Sequence, residues 1–300
     1  FFEIKNLVFK KKFNIIYSSG RNLNVVIGTF FYFFKFKGHL IFGEQNTMNE
    51  FKNKNIKNFF RLLLMKIAYK KAHSVIANSL DTKKDLIKYK ITTQNKIHII
   101  SNPIKVSSMK LDNIDIIKKN INKKFVIVAC GSLTYQKNFQ LLIHAFHLFQ
   151  KKISNSYLLI LGDGPMKNDL NNLIKKYKME NKVKCLGLIK NPYSIFKISN
   201  MFVLSSRYEG FGNVIVEAMH SGIQIVCTNC PGGPKEILNN GRYGYLAKNE
   251  NVKNDICEEI PVREVRNSDI VKNGGMVVEN NRFINEHYFD TIRDIVQLGY

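Results

Sequence analysis

Two carboxylates, Glu209 and Glu217, stand either side of seven residues and frame a segment that could do chemistry: Ser205-Ser206-Arg207-Tyr208-Glu209-Gly210-Phe211-Gly212-Asn213-Val214. Before it, Met201 to Leu204 is a short apolar run that reads as a buried strand. After it, Val214 to His220 carries helical spacing that Ser221-Gly222 closes. A strand, a glycine-bearing turn and a helix leave the first-turn N–H groups of the helix without internal partners, and those groups favour an anion. Gly210 and Gly212 let the backbone approach such a ligand. Acids beside an anion site repel phosphate, so their partners are hydroxyl donors, as on a sugar or a ribose. N–H groups for phosphate and carboxylates for hydroxyls together suit a nucleotide sugar.

Other reactive side chains give weaker patterns. The five cysteines are scattered and odd in number, unlike a secreted disulfide framework. Cys227 and Cys230 form a CxxC with no second pair to complete a zinc site, and Cys227 ends the apolar run Ile223 to Cys227, so a packed thiol is the better reading. His73, His144, His147 and His220 fall at helix or strand positions and read as packed or solvated. No D-x-D is present and no His/Asp/Glu cluster has metal spacing, so no metal site is expected.

The elements that must position Glu209 and Glu217 alternate between strand and helix. In the first third, Asn14 to Ser18, Leu40 to Phe42, Ser74 to Ala77 and Ile97 to Ile100 read as strands. Asn22 to Phe36, apolar and aromatic, reads as a buried helix, and Asn78-Ser79 caps a helix over Asp81 to Lys88. Ser101-Asn102-Pro103 stops the fourth strand, and residues 104–123 are polar and lysine-rich, as in a linker. Further on, strands at Phe125 to Ala129, Tyr157 to Leu161 and Val183 to Leu186 alternate with helices at Asn138 to Lys151, Met166 to Lys178 and Pro192 to Ile198. Such alternation argues for parallel, doubly wound sheets, which bind ligands at the carboxyl ends of their strands. The loops Gly131–Lys137, Gly162–Pro165 and Ser205–Asn213 then gather at one edge.

Five stretches fall in register with one family. Gly131-Ser132-Leu133 with Gln136-Lys137-Asn138, Leu161-Gly162-Asp163-Gly164, Val183 to Gly187, the Glu209 to Glu217 E-x7-E and Pro231-Gly232-Gly233-Pro234-Lys235-Glu236-Ile237-Leu238 come in its order and approximate spacing. On these motifs the chain resembles the retaining glycosyltransferases of the GT-B fold, family four, strongly over Phe125 to Leu246. The resemblance implies an α/β GT-B architecture: two doubly wound, Rossmann-like domains facing each other across a cleft, the first incomplete here because the chain begins with Phe1 and lacks its true start. It implies an N-terminal acceptor-side domain at 1–103, a linker at 104–123 and a nucleotide-sugar-binding domain at 124–281. A last helix at 282–300 would cross back to the first domain. Lys137 matches the family's diphosphate lysine. The family usually has Arg where this chain has Ser132, which removes one cation from the phosphate clamp. In the family's pattern, the N–H groups of Asn213 and Val214, with the Gly210-Phe211-Gly212 turn, would hold the distal phosphate. Glu217 would take the ribose, Glu209 the donor sugar, and the Ile189 backbone the base. The implied activity is metal-independent transfer of a sugar from a UDP- or GDP-linked donor, with Glu209 and Lys137 catalytic, to a glycan or lipid-linked acceptor in surface polysaccharide or lipopolysaccharide synthesis. The alternative is a catalytically weakened nucleotide-sugar-binding module, which Ser132 and the short first domain favour.

Charge bears on partners. Residues 1–110 hold 21 Lys+Arg against 5 Asp+Glu, and the remainder holds 25 against 18. No nucleic-acid motif accompanies the excess, so nucleic acid is not an expected partner. There is no signal peptide and no apolar run of about 18 residues, so a cytoplasmic location is expected. Phe51 to Lys71 is basic and amphipathic: Ile56, Phe60, Leu63 and Ile67 share one helical face, while Lys54, Lys57, Arg61, Lys66 and Lys70 occupy others. One reading is a helix peripheral on the anionic inner face of the cytoplasmic membrane. The other, slightly favoured, is a surface helix packing that apolar face on its sheet.

Overall fold

The computed structural model describes residues 13–104, 121 and 124–247. The linker expectation therefore falls almost entirely outside the described residues, as do residues 248–281 of the expected nucleotide-sugar-binding domain and the expected helix at 282–300. Backbone contacts divide the chain into two units. The first runs to Pro103 and takes in Pro231–Gly233; the second runs from Ile104 to Cys230 and resumes at Pro234.

The first unit carries a four-stranded, all-parallel sheet in sequence order: β1 (Ile15–Ser19), β2 (His39–Glu44), β3 (Ser74–Ala77) and β4 (Ile97–Ile99). Its helices are α1 (Arg21–Phe33), α2 (Ile56–Tyr69) and α3 (Leu80–Lys88). Ser79 caps α3 by accepting from the Thr82 N–H at 3.2 Å, and Asn55 caps α2 by accepting from Asn58 N–H at 2.8 Å. Phe30, Phe42, Met65, Tyr69 and Leu86 fill the core. Gly28 lets α1 lie against α2: a Cβ there would fall 2.5 Å from the Ala68 carbonyl oxygen.

Two expectations for this unit are corrected. The segment expected as a buried helix forms α1, but only one face is covered; Leu23, Val26, Tyr32 and Phe33 are exposed. The apolar stripe of the basic segment does not pack on the sheet either. Asn58, Met65, Ala68 and Tyr69 are the buried side of α2, whereas Ile56, Phe60 and Leu63 of the stripe are exposed. The helix has two apolar faces, and the sheet takes the one bearing the small Ala68 that admits α1.

The second unit is a six-stranded parallel sheet in the order β10-β9-β8-β5-β6-β7. The strands are β5 (Phe125–Cys130), β6 (Ser156–Leu161), β7 (Val183–Gly187), β8 (Met201–Leu204), β9 (Gln224–Thr228) and β10 (Tyr245–Ala247). Helices α4 (Phe139–Lys152), α5 (Lys167–Lys176), α6 (Tyr193–Phe196), α7 (Asn213–His220) and α8 (Pro234–Ile237) connect them. Both faces are covered, as period-2 alternation requires: Val126 and Val128 join Phe202 and Ile215 in one core, Ile127 and Ala129 join Leu142 and Phe146 in the other. From β5 the chain winds outward to β6 and β7, then returns to place β8 on the other side of β5. The gap between the carboxyl ends of β5 and β8 is therefore the topological switch point, where open α/β sheets bind ligands.

Candidate functional site

The loop after β5 and the loop after β8 meet at this switch point. Lys137 Nζ donates to Glu209 Oε1 at 2.6 Å, an ion pair between residues 72 apart in sequence. The Glu209 side chain is 6% exposed and that of Lys137 18%. A carboxylate this buried needs its lone pairs satisfied, and the Ser206 hydroxyl donates a second bond to Glu209 Oε1 at 2.6 Å.

The two loops are cross-tied. Gln136 Nε2 donates to the Tyr208 carbonyl at 3.0 Å, the Arg207 N–H donates to the Gln136 carbonyl at 2.8 Å, and the Ser205 hydroxyl donates to the Lys137 carbonyl at 2.9 Å. Asn138 takes a left-handed conformation at the start of α4, and its Oδ1 accepts from Arg207 Nη2 at 2.9 Å. The Arg207 guanidinium lies 4.3 Å from the centre of the Tyr135 ring. From behind, the Thr228 hydroxyl of β9 donates to the Ser206 carbonyl at 2.6 Å.

Close backbone approach brings in the third loop. The Leu133 N–H donates to the Asp163 carbonyl at 2.9 Å, and a Cβ on Gly162 (φ +137°) would lie 1.9 Å from the Gly131 oxygen. Only glycine fits there. Ser132 is exposed beside Gly131, whose own missing Cβ faces the Lys137 side chain.

Helix α7 begins four residues after Glu209. Gly212, at φ +101°, turns the chain into the helix, and no side chain caps it. Gly210 and Phe211 are buried beneath, Val214 is half-buried and Asn213 exposed. Glu217, one helical turn past Asn213, is half-buried, and its burial holds the carboxyl above the ordinary value of 4.5. No hydrogen bond or ion pair to Glu217 occurs among the described residues. Its charge and that of Lys137 are both felt at Cys130, the last residue of β5. Glu217 and Lys137 thus flank the same strand end. Ile189, in the loop after β7, packs half-buried on the core that holds Cys130, Phe211 and Val214.

Cys227 is packed, as the sequence suggested. Cys227 and Cys230 are buried, and burial pushes the Cys130 and Cys230 thiols up to about 12. The histidines find local partners: His73 Nδ1 accepts from the Leu40 N–H, His144 bonds the Tyr177 hydroxyl, His147 stacks on Tyr177 and His220 lies against Tyr193. Among the described residues no group of three or more His, Cys, Asp or Glu is placed to hold a metal. The structure thus brings Lys137 against Glu209 at the switch point, with the start of α7 and Glu217 following Glu209 along the chain. The sequence assigned no role to Ser206, Gln136, Asn138 or Arg207: Gln136, Asn138 and Arg207 have partners 69 to 72 residues away, while Ser206 reaches Glu209 only three residues on.

An α/β protein with a polar site at the β5/β8 switch point can be placed by comparison. Residues 112–258 match the model of the family Glycosyl transferases group 1, and the chain carries a domain of that family. The fold is that of the GT-B glycosyltransferases. It superposes on Anabaena HepE, solved in complex with UDP-glucose, with a TM-score of 0.82 over 97% of this chain and 82% of that chain, at 20% identity. An uncharacterized glycosyltransferase of Methanocaldococcus jannaschii is 36% identical over 204 residues, which is 62% of this chain and 50% of that protein. The capsular polysaccharide biosynthesis glycosyltransferase CapM of Staphylococcus aureus is 29% identical over 262 residues, 85% of this chain and 68% of that protein. The chain thus spans about half the length of the archaeal relative. No described helix is long and apolar enough to cross a membrane.

Proposed function

We propose that this chain handles the donor in a retaining, metal-independent glycosyltransferase that moves a sugar from a UDP- or GDP-linked donor to a glycan or lipid-linked acceptor of surface polysaccharide or lipopolysaccharide synthesis. The observation that carries the proposal is the Lys137–Glu209 pair, cross-tied at the switch point beside an uncapped helix start. Breaking the bond from sugar to diphosphate builds negative charge on the phosphates and positive charge on the sugar. Lys137 and the N–H groups at Asn213 and Val214 meet the first, Glu209 the second. Fixed donors and acceptors of this kind cost little reorganisation when the bond breaks. Lys137 leaves Glu209 for the diphosphate as donor enters, and the carboxylate is freed for the sugar hydroxyls. Glu217 takes the ribose, and the Ile189 backbone lies beside the base. The basic first third supports a peripheral position on the anionic inner face of the cytoplasmic membrane, within reach of a lipid-linked acceptor.

Exposed Ser132, where the family has arginine, favours a second reading: a module that binds nucleotide sugar with weakened catalysis. A panel of nucleotide sugars, scored first by thermal shift and then by turnover with a lipid-linked acceptor in the presence of chelator, separates them. Binding with turnover supports the enzyme, binding without turnover supports the module, and a requirement for divalent cation overturns the metal-independent mechanism.

A further inference from the structure

The face of α2 turned away from the sheet is an unusual surface. Ile56 is 78% exposed and Phe60 56%, with Phe59, Leu63 and Leu64 exposed beside them. Ile56, Phe60, Leu63 and Ile67 form one stripe, with Lys57 on one side of it and Lys66 and Lys70 on the other. Residues 51–71 hold seven Lys+Arg and no Asp or Glu. A soluble surface rarely leaves so many large apolar side chains in a row; an apolar stripe between two rows of lysine is what an interfacial helix presents to acyl chains and anionic headgroups.

At the amino end of α2 the stripe runs into an open groove of about 680 Å³. Phe51, Ile56, Phe59 and Leu62 make its apolar wall, and Lys52, Lys54 and Lys88 its cationic rim. No carboxylate lines it. Glu50, next in sequence, is held away by Arg21 and Arg61. The groove is pre-formed: buried Asn58 donates to the Glu50 and Asn53 carbonyls at 3.0 and 2.8 Å, which fixes the loop that carries the lysines.

We infer that this groove seats one anionic phospholipid of the membrane, its phosphate among Lys52, Lys54 and Lys88 and an acyl chain along Phe51, Ile56, Phe59 and Leu62, while the α2 stripe lies in the headgroup boundary. The inference deepens the membrane reading above and rests on it. Charge complementarity favours this occupant: a phosphate joined to an acyl chain meets the lysine rim and the apolar wall together, and the carboxylate-free run of lysines over residues 51–71 suits an extended anionic surface.

The chain has no tryptophan, so Phe59→Trp installs a single reporter in the groove wall. With the 300-residue chain, vesicles of phosphatidylglycerol in phosphatidylcholine should bind strongly, blue-shift the Trp emission and let brominated acyl chains quench it. Pure phosphatidylcholine should do so weakly. Lys52→Gln/Lys54→Gln/Lys88→Gln should weaken binding by about tenfold or more, since each lysine at an anionic surface contributes about fivefold. Removing three exposed lysines of the second unit, Lys151, Lys175 and Lys176, should change it by less than about twofold. Monomeric short-chain phosphatidylglycerol should shift the reporter in the wild-type groove and not in the triple variant; inorganic phosphate should leave it unmoved. Failure of the wild-type chain to prefer anionic vesicles overturns both the seat and the membrane reading. Anionic binding that the groove triple leaves intact, with a melting temperature equal to wild type, overturns the seat alone. A dimer that Leu63→Glu makes monomeric, with vesicle binding unchanged, would assign the stripe to a second copy and overturn the inference.

Discussion

Replacing Glu209 with glutamine keeps the shape of the side chain and removes its charge. Removing one partner of a buried ion pair costs about 3–5 kcal/mol when the other charge is trapped. Lys137 is not trapped: its side chain is 18% exposed and can turn outward, so we expect a stability loss of about 1–2 kcal/mol. Lys137→Met should cost a similar amount, because Glu209 at 6% exposure then keeps only the Ser206 hydroxyl. The double variant should recover much of the loss, giving a coupling of about 1–2 kcal/mol in denaturant melts. Catalysis should behave differently. If Glu209 faces charge that develops on the donor sugar, its amide should lower kcat about 100-fold, equal to about 2.7 kcal/mol of transition-state stabilisation, and the double variant should be no better than the worse single. Stability and turnover therefore part company in the same four proteins. A double variant that regained turnover along with stability would mean the pair is a structural tie. A Glu209→Gln effect confined to KM would mean the carboxylate binds ground and transition states alike.

Other outcomes follow from the same geometry. Glu217→Gln should raise KM with little change in kcat, because the ribose is held alike throughout the reaction. Burial raises the Glu217 carboxyl above 4.5 in the fold, so the folded chain holds that proton more tightly than the unfolded one. Its contribution to stability is full below about pH 4.5 and is lost as pH rises through the folded value. Melting curves should accordingly show Glu217→Gln more stable than wild type at pH 7, with the gain vanishing in acid; a gain constant with pH would contradict the assignment. Ser132→Arg should tighten nucleoside diphosphate binding by about 1 kcal/mol in titration calorimetry, the site being partly wet and the charge partly screened. Unchanged affinity in a folded variant would place Ser132 outside the phosphate clamp. With thiols pushed up to about 12, Cys130 and Cys230 should resist a maleimide at pH 8 in the folded chain and react on unfolding, since the thiolate is the nucleophile; rapid labelling of either, mapped by peptide mass, would refute their packed state.

The parts of the site made by local chemistry were legible in the sequence. Gly212 announces the turn into α7, and strand–helix alternation makes the sheet parallel, which puts the Lys137 and Glu209 loops on one edge. The boundaries of β3 and β8 were read as they stand, while most helix ends shifted by one or two residues and α1 ends three residues before Phe36, because fraying ends carry weak signals. What could not be read depends on distant partners. Arg207 meets Asn138 and Tyr135 only once β8 lies beside β5. Glu44, two residues past the strand read at Leu40 to Phe42, is fully buried in the fold, bonded by Arg21 and by the Tyr69 hydroxyl at 2.8 Å. The apolar stripe of α2 was found by its periodicity, yet periodicity cannot rank two apolar faces on one helix. Packing between Gly28 and Ala68 decided which one the sheet took.

Lys137, Glu217 and the amino end of α7 are proposed to form one nucleotide-sugar site. Titration calorimetry of UDP, GDP and their sugar conjugates tests it most directly, using wild type, Lys137→Met and Glu217→Gln, each checked for folding by its melt. Binding of at least one member should be saturable and one-to-one, weakened about tenfold or more in both variants, with Lys137→Met affecting the diphosphates far more than the free nucleoside. Binding that neither variant weakens, or no binding across the panel by the folded chain, would contradict it.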